Sequence, residues 1–498
     1  MTVYHQLEKR FRRWSALKEA SGVLFWDMSS MMPEGGSVAR SEQVAALSVV
    51  SHEILAAQET GDLLDAAEAQ HESQPLTPWQ HANLAEMRRL FAHATALDGD
   101  LVEALSKSAS ACESAWRQAR PAADFALVRP KLEEMLRLVR IAAAAKSDKL
   151  GLSPYEALMD EYEPGARTVD IDAIFTDYAA FLPGFLQRVL ERQARDSRPI
   201  EPSGPFPVST QKALGERVMK SIGFDFTHGR LDTSLHPFCG GVPDDVRITT
   251  RYSEAQFTSA LMGVIHETGH AMYERGLPVD WRLQPVGQAR GMALHESQSL
   301  LVEMQASRSA EFCTFLSPLL NETFPGNAAA FAPDNLRRLY SRVEPGLIRV
   351  DADEITYPAH VILRYRLEQA LIAGDLAIAD LPGAWNEGMK NLLGLTPPSD
   401  REGCLQDIHW YEGIFGYFPC YSLGAMTAAQ LYAAAIAANA GIPAAIAQGD
   451  FAPLMAWLRA NVHGLASSLS TREIVTRATG RSLDISVFKQ HLERRYLA

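Results

Sequence analysis

His266 and His270 stand four residues apart with Glu267 between them, in the stretch His266-Glu267-Thr268-Gly269-His270. The pattern is H-E-x-x-H, in which two imidazoles grip one metal ion while the glutamate stays free to move protons. On a helix advancing about 100° per residue, His266, His270 and Glu267 fall near about 0°, 40° and 100°, so one face holds metal and base together. A hydrolytic zinc site also needs a third protein ligand and an open position for water. Glu296, in His295-Glu296-Ser297-Gln298, is the candidate: 25 residues separate it from His270, and the segment 292–307 lacks Pro and Gly and reads as a second helix packed beside the first. Glu303, one heptad further on, is a rival ligand or a partner of the ligands. The same tetrapeptide recurs at His71-Glu72-Ser73-Gln74, where Pro75 and Pro78 mark a polar loop, and that copy reads as solvated surface.

These residues need elements to carry them. Ser253-Glu254-Ala255-Gln256 reads as a capping box, Gly276 and Pro278 read as a stop, and Phe257, Leu261, Val264, Ile265 and Met272 give a half-buried helix between them. Just upstream, Val246, Ile248 and Thr250 alternate with Arg247, Thr249 and Arg251, the period-two pattern of a strand. Such a strand either offers an open edge to an extended peptide or closes a small sheet. The rest of the chain is alanine- and leucine-rich with helical period. The predicted fold class is therefore mainly α, a large helical protein with a small β-sheet beside the H-E-x-x-H helix. Prolines at 199, 202, 205 and 207 interrupt the helical pattern. They divide the chain into an N-terminal helical lobe (1–195), a Pro-rich connection (196–210) and a catalytic metal-binding region (211–498).

At 498 residues, 47% hydrophobic and 21% charged, the chain buries a large core and is not disordered. A formal charge of −13 argues against a nucleic-acid partner and against docking on anionic lipid. The N-terminus is a charged amphipathic helix without an apolar signal region, and no run approaches the length of a membrane span. Five scattered cysteines imply a reducing compartment, hence the cytoplasm, and neither a disulfide framework nor a cysteine zinc site.

Further segments complete a resemblance. His236-Pro237-Phe238, Asp245-Val246-Arg247-Ile248-Thr249, the HETGH helix, HESQ, Ile348-Arg349-Val350-Asp351-Ala352-Asp353 and Gly403-Cys404-Leu405-Gln406-Asp407-Ile408-His409-Trp410 follow one another in order. Together with Trp26-Asp27, Met32-Pro33, Gly35-Gly36 and Arg40 near the start, they resemble the Taq-type metallocarboxypeptidases, peptidase family M32, over nearly the whole chain. The likeness implies an almost all-helical fold with a deep groove, zinc-dependent release of C-terminal residues from peptides with broad specificity, and a homodimer. Cobalt is a possible substitute for zinc. Residues 28–31 (MSSM) depart from the threonine-containing form of the family's opening segment, which touches nothing catalytic.

On this reading His266, His270 and Glu296 hold zinc and Glu267 acts as general base. An enzyme that cuts at the C-terminus needs a fixed cation for the free carboxylate, and a guanidinium fork pairs both oxygens. Arg349 is the first candidate by its place in IRVDAD, its alternative being an ion pair with Asp351 or Asp353. Arg247 on the predicted strand is the second, with Asp244 or Asp245 as its alternative partner. His236 contacts substrate or orients a neighbour. The resemblance favours His409 and Tyr421 as donors to the oxyanion; Tyr411 reads as core packing, and Tyr417 fits either role. The same metal motif also serves an oligopeptide endopeptidase or a dipeptidase, and a zinc-stabilised peptide-binding scaffold is the non-enzymatic alternative.

Overall fold

The computed structural model describes residues 2–69 and 75–498; the HESQ copy at His71-Glu72-Ser73-Gln74 lies outside the described residues. The fold is mainly α, with helices from Val3–Ser30 to Ile485–Tyr496 and one three-stranded sheet among the described residues. Among the described residues no helix is long and apolar enough to cross a membrane.

Two large apolar clusters meet at the helix Pro419–Ala438, whose sequence is apolar on nearly every side and therefore buried all round. Its Leu423 and Met426 join a core built on the helices Arg129–Leu150, Thr168–Gln193 and Tyr357–Ala373. Its Ala425, Ala428 and Leu431 join a second core that contains the HETGH helix (Thr258–Gly276) through Leu261, Ile265 and Met272. The HESQ helix (Met292–Leu300) lies in the same seam, with Ala293 in the first core and Leu294 in the second. A smaller cluster of Tyr4, Leu7, Phe11 and Trp14 ties the N-terminal helix Val3–Ser30 to Leu64, Leu84 and Met87.

The sheet comprises β1 (Gly229–Thr233), β2 (Phe238–Val242) and β3 (Asp245–Thr250) in the order β1-β3-β2. β3, the strand legible in the sequence, pairs parallel with β1 and antiparallel with β2. It is thus the central strand and offers no open edge, which corrects the edge reading. Val246 and Ile248 face inward with Leu231 against Val264 and Ala271 of the HETGH helix. β1 and β2 carry no clear alternation, and Gly240 and Gly241 leave β2 without side chains to show one.

The N-terminal helix lies across this sheet. Ser30 donates to the Thr233 carbonyl at 3.1 Å, and the Trp26 ring lies beneath the guanidiniums of Arg230 at 5.0 Å and Arg247 at 4.3 Å. The HETGH helix ends at Gly276 as expected but starts at Thr258, later than the capping box implies. Residues 253–256 are held elsewhere: Gln211 donates to the Ser253 carbonyl at 2.8 Å, and Glu254 accepts the Phe206 amide at 2.9 Å. The Gln256 carboxamide accepts from the Ser259 amide at 3.1 Å and serves the helix start instead.

Candidate active site

The HETGH and HESQ helices cross at Gly269. A Cβ there would stand 2.6 Å from the Gln298 carbonyl oxygen and the Ser299 Cα, so only glycine permits this approach. The crossing brings Glu296 over the two histidines. Its Oε2 lies 3.3 Å from His270 Nε2 and 3.7 Å from His266 Nε2, and one ligand atom from each of the three residues falls within 4.8 Å of the others. Donors sharing a tetrahedral ion at about 2 Å stand about 3.3 Å apart, so the set fits a single metal ion with N, N and O ligands. From the far side the helix Pro419–Ala438 presses on Glu296 at Gly424, where a Cβ would lie 2.9 Å from the glutamate Cβ and Cγ.

Behind the ligands stands a second layer. His266 Nδ1 is 3.0 Å from Glu303 Oε2, and Arg308 donates to the other oxygen of Glu303. Glu303 sits in a π-helical turn, Leu301–Ala306, that follows the HESQ helix directly. Such turns re-aim side chains at functional sites. His295 packs its ring 4.6 Å from that of His270 and pairs with Glu274 at 2.9 Å, a supporting contact that spacing alone does not disclose.

Burial and mutual charge set the electrostatics. Burial pushes the Glu296 carboxyl up, but the His266 charge and the His270 contact overcome it and hold it down to about 2. Burial lowers His266, yet Glu296 and Glu303 push it up to about 10; burial and His295 bring His270 down to about 4. Glu267 is buried with them, and desolvation raises it to about 7. With both imidazoles neutral, as metal ligands are, three carboxylates against Arg308 leave a negative charge that a divalent ion would offset.

A second cluster lies beside this one. Asp407 receives two arginines: Arg349 donates from Nε at 3.0 Å and Nη2 at 2.8 Å to Oδ1, and Arg364 donates from Nε at 2.6 Å to Oδ2. The partner of Arg349 is therefore Asp407, and neither Asp351 nor Asp353; Asp353 instead accepts from the Ile355 and Thr356 amides. Asp407 falls within the Gly403–Trp410 motif, where spacing alone does not mark its role. Two guanidiniums against one carboxylate leave a net positive charge; Arg364 is fully buried and Arg349 is 6% exposed, with its Nη1 off the carboxylate. The Arg349 guanidinium also lies 4.8 Å from the Tyr421 ring, and its Nη1 is 3.3 Å from the Tyr357 hydroxyl.

His409 Nε2 is 3.2 Å from the Tyr421 hydroxyl, and burial holds the His409 imidazole down to about 4, hence neutral near pH 7. Tyr417 packs edge-on to Tyr421 at 5.1 Å and to Tyr162 at 5.1 Å, whereas Tyr411 is fully buried with its hydroxyl on the Cys404 carbonyl. Tyr421 stands three residues before Gly424, which touches Glu296, and Tyr357 and Tyr417 pack on Tyr421, which places the aromatic cluster beside the candidate metal ligands. Arg247 and His236 stand apart from it. Arg247 pairs with Asp245 at 2.6 Å and lies on Trp26, and His236 is exposed in the β1–β2 connection, next to Pro237, which meets the HETGH helix at Gly263.

The comparisons with known proteins agree along the full chain. Thermostable carboxypeptidase 1 of Thermus thermophilus is 35% identical over 98% of this chain and 97% of its own length, and carboxypeptidase 1 of Bacillus subtilis is 32% identical over 99% and 98%. Among solved structures, Trypanosoma cruzi metallocarboxypeptidase 1 superposes with a TM-score of 0.97 at 42% identity, covering 100% of this chain and 99% of that one. The M32 carboxypeptidase of Deinococcus radiodurans does so with a TM-score of 0.94 at 35% identity, covering 99% and 98%. The family model for the carboxypeptidase Taq (M32) metallopeptidases matches residues 6–496, and the chain belongs to that enzyme family.

Proposed function

We infer that this enzyme releases C-terminal amino acids from peptides, with His266, His270 and Glu296 holding zinc and Glu267 as general base. The observation that carries the reading is the pair of arginines on one carboxylate. Arg349 and Arg364 share one carboxylate, and the net positive charge of that triad, with Arg349 fixed in place beside the metal ligands, suits a peptide's free carboxylate.

Bound there, zinc supplies the Lewis acidity that activates water and polarises the scissile carbonyl. Glu267, raised to about 7 by burial, is suited to take the water's proton and return it to the leaving amine. Arg349 anchors the substrate carboxylate and so fixes which peptide bond faces Glu267. Tyr421 donates its hydroxyl proton toward the oxyanion, with neutral His409 orienting that hydroxyl and Tyr417 walling the pocket. Arg247 and His236 are the outer contacts for the substrate chain. Zinc as resident ion, cobalt as substitute, broad specificity and a homodimer are supported by the family likeness; a cytoplasmic setting is supported by five free thiols.

Glu267→Gln tests the assignment of the base. It should keep one metal ion per chain and lower kcat by about a thousandfold. Turnover near the parent rate would remove Glu267 from this role.

A further inference from the structure

Apart from the candidate active site, a cavity of about 500 Å³ opens beneath the start of the helix Ala310–Thr323. Four arginines, Arg308, Arg337, Arg494 and Arg495, line it with His491, against a single acidic residue in the wall, Glu311. In a chain of formal charge −13 this concentration of cations needs a reason. Two of the four have internal partners: Arg308 is held by Glu303, and Arg495 by Glu354 at 2.9 Å. Arg337 and Arg494 are exposed, and among the described residues their guanidiniums make no hydrogen bond or ion pair.

Three further features point to an anionic ligand with an apolar body. Arg308 Nε is buried without a partner and suits an anion, while Gln305, 1% exposed and in the wall, has an unpartnered Oε1 that suits a hydroxyl on the ligand's body. The first amides of the helix Ala310–Thr323 follow the Ser309 cap at the wall, where N–H groups lack intrahelical acceptors and the helix dipole favours negative charge. The opposite side is apolar, formed by Ala429, Tyr432, Ala433, Ile436 and Pro443.

We propose that this cavity binds an organic phosphate, its phosphoryl group on Arg308, Arg337 and Arg494 and its apolar body against Tyr432. Guanidiniums pair phosphate oxygens two at a time, and Arg308 offers its free Nε while its Nη2 stays on Glu303.

Calorimetric titration of the full chain at constant ionic strength, with AMP, ribose 5-phosphate, inorganic phosphate and adenosine, tests the site. AMP is expected to bind saturably and adenosine about tenfold or more weaker, while the two smaller phosphates report how much the phosphoryl group alone contributes. The double variant Arg337→Ala, Arg494→Ala, which leaves basal peptidase activity unchanged, should bind AMP about tenfold weaker. Equal affinity in the variant, or equal affinity for adenosine, overturns the site. The titration is repeated on metal-stripped protein, where AMP binding should persist, so the site stands or falls separately from the carboxypeptidase reading.

Discussion

Glu303 accepts a hydrogen bond from His266 at 3.0 Å while Arg308 donates to its other oxygen, so one carboxylate fixes the ring orientation of a candidate ligand and is itself fixed. Partners of this kind set the tautomer that leaves Nε2 free for metal and raise the basicity of the imidazole.

Glu303→Gln keeps the size of the side chain but leaves one acceptor for two donors, His266 and Arg308. Metal affinity, read by competition with a chromogenic chelator, should fall about 10- to 100-fold while the fold persists. An unchanged affinity would detach Glu303 from the metal site.

Arg349→Lys replaces a planar fork, already paired with Asp407, by a single ammonium that cannot hold Asp407 and a substrate carboxylate together. The expected result is a fall in kcat/KM of about 10- to 100-fold on free peptides, carried mainly by KM. A variant with unaltered KM would make Arg349 purely structural.

The mainly helical class and the H-E-x-x-H helix were legible in the sequence, because helical period and covalent spacing are local properties. Glu296 was legible only as a candidate, since its approach to the histidines depends on Gly269 and Gly424, whose missing side chains show their purpose only when the helices touch. Asp407 was hidden for a related reason. It lies 58 residues from Arg349 in the chain, and nearer acids, Asp351 and Asp353, were the natural partners to expect. β1 and β2 escaped notice because a five-residue strand whose stability comes from pairing with β3 need not alternate. The helix start was misplaced because Ser253 and Glu254 bond to the 206–211 segment rather than capping the helix, which leaves Gln256 to serve its start.

Acid should destabilise the fold through His409. Burial holds its imidazole down to about 4, against an ordinary value near 6.5, so the folded chain keeps it neutral. Its contribution is fully present above pH 6.5. Between 6.5 and 4 the unfolded chain binds a proton that the folded one refuses, and stability falls by about 1.4 kcal/mol per pH unit. Chemical denaturation of parent and His409→Gln at pH 7 and pH 5 should show the variant losing less stability over that interval. Equal losses would show that His409 titrates normally.

The central claim is that the free C-terminal carboxylate, held by Arg349, selects the bond to be cut. The most direct measurement follows by mass the products of one peptide and its C-terminally amidated twin, incubated with the purified enzyme with and without a chelator. Stepwise loss of C-terminal residues from the free peptide alone, abolished by the chelator and restored by zinc or cobalt, is the predicted result. Internal cleavage of both peptides would contradict it and make the enzyme an endopeptidase, and cleavage of neither would leave a metal site without this activity.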